Sequence, residues 1–504
     1  MKTAARLGWL TAMVLAAGGC WAPTEIRPGT DLTVASLLSG STSAQITEIP
    51  PGREVEVPLG PNREAFLVIN SQQLAAEKMT LSVSAGRAFN APGFTLQATP
   101  PIGLPPFETR LHAMEASLRQ APPPMTRHLA AVPHYEIGSH ESFWVIADLQ
   151  DGQSTEIQVP AHAAYVGTHC YVFVDDQATD DALPDRIAQI GQNFDAKIFP
   201  TDTRIFGEAL ATGVNGDPKV TLLISPVVGN YGKDTTIGYF TLRDLFAPGA
   251  DPTNPLLKHS NQRLMLYISP YVVARGQAAD YLGTIAHECQ HLINASQKLF
   301  HRGSGPPQTE DLWLDESLAM YAMEANGYGL SGSGSVVYNH VAAYLANPGS
   351  YSLVDWSGNP QQSGYGPGYL FATYLADRFG EGLLRDLVTS PQVGLANLNA
   401  RLATHATSFR QVFTEWTAAN LLDGTNLTAD PRYNYRTLDL LGAYSGRRLR
   451  GLHLDPVKVP TVGSLPFRPY SAQYIFLPPA DGTSLRFTLR GSQSLNFGGL
   501  VVSP

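Results

Sequence analysis

The run His287-Glu288-Cys289-Gln290-His291 brings together residue types that do hydrolytic chemistry at a metal ion. On a helix, imidazoles four residues apart stand one turn apart on the same face and can both reach one cation. The glutamate beside the first is then placed to act on a water at that ion. With 13 His in 504 residues, His-Glu-x-x-His should arise by chance on the order of once in a hundred chains of this length, so the motif needs a helix to sit on. Tyr281, Leu282, Ile285, Ala286, Cys289, Leu292 and Ile293 recur at three- and four-residue spacing, which predicts an amphipathic helix over 278–298. The pair His140-Glu141 is a control: Trp144 stands where its second imidazole would be required, and no site is expected there.

Two histidines leave a catalytic zinc one protein ligand short, since such sites use three and keep the fourth position open. The extended pattern that supplies a third histidine downstream is absent: Asn294 and Gln297 stand at its glycine and histidine positions, and His301 lies too far along. A second helix is expected to begin at Trp313-Leu314-Asp315-Glu316-Ser317-Leu318, with its glutamate 25 residues after His291. Glu316 is therefore the candidate third ligand, with Glu310 and Glu324 as alternatives. Glu324, eight residues on, would stand about 80° round the helix and two turns further along.

These segments resemble the gluzincin zinc metallopeptidases, and within them the hyicolysin-like branch of bacterial secreted enzymes. The resemblance rests on Ala286-His287-Glu288-Cys289-Gln290-His291-Leu292-Ile293, on Trp313-Leu314-Asp315-Glu316, and on the later Tyr369–Gly380 segment, and covers about residues 165–425. It implies that a glutamate of a following helix completes the site, which selects Glu316. It also implies that a mixed sheet leads into the metal helix, and that a residue downstream faces the substrate. Tyr365 and Tyr369, each following a glycine, are the candidates for stabilising the oxyanion. In one place the chain departs from the thermolysin-type pattern, which has an aspartate four residues after the glutamate ligand where this chain has Met320. A supporting carboxylate must come from elsewhere, with Asp315 the candidate.

The N-terminus opens with Lys2 and Arg6, runs apolar from Leu7 to Ala17, and ends in Gly18-Gly19-Cys20. That order reads as an export signal rather than a membrane span. It resembles a bacterial lipoprotein signal, with Cys20 as the lipidated first residue, although Ala17 stands where that signal favours a larger aliphatic. The alternative is ordinary secretion with Cys20 lost or free. The expected location is thus the bacterial cell envelope or cell surface, or else the extracellular medium, with the membrane engaged only through a lipid. Cys170 and Cys289 are expected as buried small residues, with a bridge between them as the alternative. Cys289 falls on the side of the helix away from both histidines and is not expected to ligate. A net charge of −9 and a pI near 5.8, without a basic cluster, argue against nucleic acid as a partner.

The fold class expected is multidomain α+β: a mixed-sheet and helical catalytic domain flanked by small all-β modules. Residues 1–20 read as the signal and 21–48, rich in Thr, Ser, Gly and Pro, as a tether. Alternation at 63–69, 79–83 and 142–146 predicts a β-sandwich over 49–160. Within it a short helix at 107–120, bracketed by prolines, reads as an exposed insertion, more a connecting loop than a partner-binding flap. The catalytic domain is expected over 161–434, with strands at 170–174, 219–224 and 263–268, and a C-terminal β-module over 435–504. The glycine-rich 327–335 reads as a lid or a passive connector. Asp175, Asp176, Asp180 and Asp181 offer acidic groups for calcium, but their spacing fits no calcium loop, so a solvated turn and a helix cap are expected.

Taken together these features predict an exported endopeptidase acting on proteins or peptides, with one zinc on His287, His291 and Glu316. Glu288 would act as general base toward a water activated by the metal. The enzymatic rival is an aminopeptidase, which would need an acidic pair ahead of the metal helix to hold a substrate's amino terminus, and no clear segment of that kind is present. The other rival is a non-catalytic surface binding protein with a vestigial metal site. Such a site would have four closed ligands and no need of Glu288.

Overall fold

A computed structural model of the chain describes residues 32–37, 43–49, 54–58, 64–85, 93–95, 106–120, 132–150, 152–180, 183–229, 236–300, 308–332, 334–356, 364–457, 459, 461–478, 484–490 and 497–503. Cys20, the signal and Asp181 lie outside these residues. Helices and mixed sheets are both extensive, and the architecture is α+β as the pattern of the sequence predicts.

The half of the chain that carries the His287–His291 motif is built on a six-stranded mixed sheet. Its spatial order is Gly238–Tyr239, Met265–Ile268, Val220–Ile224, Cys170–Asp175, Gln153–Val166 and His140–Gln150. The central three strands run parallel, and each is buried along its whole length, as a parallel sheet covered on both faces requires. The twofold alternation of a strand assigns the faces. Cys170, Val172, Val174, Leu222 and Leu266 face the helical core with the helix Ala278–Leu299, which carries His287 and His291, whereas Tyr171, Phe173, Leu223, Met265 and Tyr267 face an aromatic cluster that includes Phe107 and Leu111.

Two features differ from the expectation. The strand at 142–146 was expected in a separate β-sandwich ending at 160, yet His140–Gln150 forms a long antiparallel hairpin with Gln153–Val166, and that second strand pairs with Cys170–Asp175. They extend the six-stranded sheet. In addition, the strands at either end of the chain build one sandwich of two five-stranded sheets. Ala65–Ser71 lies between Ser471–Leu477 and Phe497–Ser503, and Glu77–Ala85 lies between Thr461–Phe467 and Ser484–Arg490. Leu67, Ile69, Leu81, Val83, Leu465 and Ile475 fill the space between the sheets. The outer face of the first sheet puts Phe66, Val68 and Tyr474 into the main core, and Tyr474 Oη donates to Thr417 O of the helix Phe409–Leu422 at 3.0 Å. Alternation marks a strand but carries no information about which distant strand it pairs with, so the N- and C-terminal modules read as separate.

The helix Pro106–Gln120 is present but is not an exposed insertion: Phe107, Leu111, Glu115 and Leu118 are buried. Cys170 and Cys289 are both buried and unpaired. The described aspartates of the acidic run are engaged separately. Asp175 accepts from Ser225 Oγ, Asp176 from His162, and Asp180 pairs with Arg275. Among the described residues no helix is long and apolar enough to cross a membrane.

Candidate active site

The metal helix, Ala278–Leu299, is buried nearly all round rather than on one face. Its neighbour, the glutamate helix Leu312–Ala325, is buried from Trp313 to Met323. Polar ties fix the two against each other. Asn294 Nδ2 donates to Asp315 Oδ1 at 2.7 Å. Lys298 Nζ donates to the carbonyls of Leu387, Ser390 and Gln392 at 2.7–2.9 Å and lies 3.0 Å from Glu310 Oε2, so a fully buried ammonium is neutralised where the chain enters the second helix. The helix Tyr365–Phe379 packs on the other side of the glutamate helix. A Cβ on Gly368 would come within 2.8 Å of Ser317 Oγ, so a larger residue there must displace the hydroxyl that donates to Trp313 O at 2.6 Å.

These contacts bring His287, His291 and Glu316 together as a buried cluster whose donor atoms lie within 4.8 Å of one another. The two Nε2 atoms are 3.1 Å apart, and Glu316 Oε2 is 3.2 Å from His287 Nε2 and 3.5 Å from His291 Nε2. Three imidazole and carboxylate donors converging in this way fit a zinc ion in type and number. Two further observations favour a cation there. Glu316 Oε2 is a buried acceptor, in a residue 1% exposed, that no aligned hydrogen-bond donor satisfies. Asp315 Oδ1 lies 3.1 Å from His291 Nδ1, on the side of the ring away from the cluster, where a second carboxylate orients a ligating imidazole.

The electrostatics are those of a site short of positive charge. Burial alone would lower the His291 imidazole, but Asp315 and Glu316 raise it well above the usual range. Burial likewise would raise Glu316, yet His291, His112 and His287 hold it well below an ordinary carboxyl. The negative charge that favours a proton on His291 would favour a dication in its place. Glu288 behaves differently: burial raises its carboxyl, against the lowering effect of His287 and His291. It is 8% exposed, and its Oε2 accepts from the backbone N of Phe240 at 2.8 Å, just past the edge strand Gly238–Tyr239.

Of the two candidate tyrosines, only Tyr365 reaches the cleft. Its ring stands 6.1 Å from that of His287, and its hydroxyl, raised well above its ordinary range by burial and by Glu108, donates to Glu108 Oε2 at 3.0 Å. Tyr369 is fully buried elsewhere, donating to Glu324 Oε2 and accepting from Leu330 N. That bond also holds Glu324 away from the histidines, while Glu310 is committed to Lys298. The described residues of the glycine-rich segment do not line the cleft. They fold back on themselves, Gly334 N donating to Gly329 O at 2.9 Å.

Several cleft residues carry no signal in the sequence. His340 comes from a helix, Ser335–Ala346, that the glycines before it obscure. It packs edge-on against Tyr365 at 4.9 Å between ring centres, and burial pushes it down to about 3. Glu108, His112, Glu115 and Arg119 all come from the helix Pro106–Gln120 and line the cleft opposite the histidines. His112 Nε2 lies 3.2 Å from Glu316 Oε1. Four polar residues at three- and four-residue spacing mark one face of that helix, but nothing in the sequence says that this face meets residues some 200 positions downstream.

The comparisons agree with the chemistry of the cluster. The chain is 30% identical over 243 residues to the neutral metalloprotease ShpI of Staphylococcus hyicus, the alignment taking in 46% of this chain and 51% of that protein. The chain thus spans about half the length of the curated relative it matches. No family model matches the chain.

Proposed function

We propose that the chain is an exported zinc-dependent endopeptidase, with His287, His291 and Glu316 as metal ligands and Glu288 as general base. The observation that carries this reading is the convergence of two imidazoles and a buried carboxylate whose Oε2 has no aligned donor, beside a second buried carboxylate held by Phe240 N. The likeness to a metalloprotease supports the reaction class. Zinc, when bound, supplies Lewis-acid polarisation of water and of the scissile carbonyl.

The chain's own residues do the rest. Glu288, fixed by the Phe240 N–H, accepts a proton from water as the water oxygen joins the carbonyl carbon. It then delivers that proton to the amide nitrogen as the C–N bond breaks. A carboxyl raised by burial is better matched to this shuttling near neutral pH than an ordinary one. Tyr365, once its hydroxyl is released from Glu108, is placed to donate to the developing oxyanion. Asp315 keeps the His291 ring in the orientation that offers Nε2 to the metal. The export signal and lipid attachment at Cys20 remain part of the proposal, supported by the order of basic, apolar and small residues.

Hydrolysis of unfolded casein is expected to disappear on chelation and return with stoichiometric zinc. Hydrolysis that survives complete metal removal, or that zinc fails to restore, rules the reading out. In the same assay Tyr365→Phe should lower kcat by about 10²–10³ with zinc content unchanged, the usual cost of losing one oxyanion donor. An unchanged kcat would assign Tyr365 to packing alone.

A further inference from the structure

We infer that the helix Pro106–Gln120 is an autoinhibitory plug, occupying the cleft in which an extended substrate must lie, so that the structure is that of a latent enzyme. The inference rests on the peptidase reading above.

Among the described residues the strand Gly238–Tyr239 is the outer edge of the six-stranded sheet and pairs on one side only, with Met265–Ile268. An extended peptide gains its main-chain hydrogen bonds by adding to such an edge. Here the helix has taken the ground. Phe107 packs its ring on Tyr239 with centres 5.0 Å apart. Glu115 Oε1 accepts from Thr241 Oγ1 and from Leu242 N, both at 2.8 Å, directly after the edge strand.

Across the cleft the same helix engages the site's own groups one by one. Glu108 takes the Tyr365 hydroxyl, His112 lies against Glu316, and Arg119 Nη1 reaches Asp315 Oδ2 at 3.4 Å. The space left between helix and histidines is about 40 Å³. That admits a water or two, whereas pockets for even small organic ligands run to roughly 300–1,000 Å³. No peptide can reach Glu288 while the helix is in place.

The grip is also one that can be released. Three apolar side chains, Phe107, Leu111 and Leu118, anchor the helix. On its other flank Arg110, Met114 and Ser117 border an open groove of about 300 Å³ against Leu149 and Gln150, with Met114 only partly buried against the aromatic cluster. The polar contacts of the helix can be replaced by water when it lifts.

Two variants of the full chain test this. Phe107→Ala combined with Leu111→Ala removes two anchors and touches none of the proposed ligands or the base. With helical content unchanged by circular dichroism, this variant should lose zinc to 1,10-phenanthroline and cleave unfolded casein each at least about tenfold faster than the parent, as expected when an opening equilibrium gains the cost of two buried apolar groups. Equal or slower rates in both measurements would make the helix a permanent wall and overturn the inference. Faster zinc loss with no cleavage by either chain would overturn the peptidase reading and latency with it, leaving only a covered metal site.

Should that variant fail to fold, Ser117→Cys with Asn254→Cys provides a second route, because Ser117 Oγ and Asn254 Nδ2 already lie 2.8 Å apart across the helix boundary. The oxidised pair should pin the helix, and zinc loss should be at least about tenfold slower than after reduction. Identical rates in the oxidised and reduced forms would overturn the inference.

Discussion

Glu288→Gln is expected to keep the metal and the fold and to lose peptide hydrolysis by about 10²–10⁴-fold, the usual worth of a positioned proton transfer. Glutamine preserves the shape and can still accept from Phe240 N at the position where Glu288 Oε2 lies 2.8 Å away. It cannot take a proton from water or return one to a leaving amine. A binding protein with a vestigial site predicts something else. There, a carboxylate only 8% exposed is a burden, and neutralising it should leave stability unchanged or raise it, with no activity to lose. Parallel rates on unfolded protein and thermal melts of the two chains separate these outcomes. Equal hydrolysis by both would remove Glu288 from the chemistry.

Glu316→Ala should weaken zinc binding by at least about 10²-fold, since even residues that only support a ligand are commonly worth 10–100-fold. Glu324→Ala should leave affinity close to that of the parent, because Tyr369 and the chain at Leu330 hold that side of the helix away from the histidines. Isothermal titration of the two metal-free variants with zinc makes the comparison. If Glu324→Ala is the costly substitution, the third ligand is wrongly assigned.

The part of the site that was legible is the part set by local geometry. His287, Glu288 and His291 are fixed relative to one another by one helical turn, and the apolar spacing around them marks the helix itself. Glu316 was reachable only with the help of a resemblance, since nothing in a 25-residue separation says that two helices cross there; the contacts that hold them together, Asn294 to Asp315 and Lys298 to Glu310, are local to neither helix. Tyr365 and Tyr369 stand four residues apart on one helix and looked alike, yet one lines the cleft and the other is committed to Glu324. The helix Pro106–Gln120 was the largest surprise. Its flanking prolines read as a surface excursion, whereas Glu115 is buried and Arg119 part-buried against partners 127 and 196 positions away. The sandwich shared by the two ends of the chain was hidden for the same reason: strand pairing over some 400 residues leaves no local trace.

The most direct test of the central claim is the zinc content of the purified chain and of the His287→Ala, His291→Ala double variant, measured by elemental analysis after exhaustive dialysis. The imidazoles meet Glu316 Oε2 at 3.2 and 3.5 Å and supply two of the three proposed ligands. The account predicts close to one zinc per wild-type chain and none retained by the double variant while its fold persists by circular dichroism. Full zinc in the double variant, or a wild-type chain that holds no zinc when supplied with it, would contradict the account.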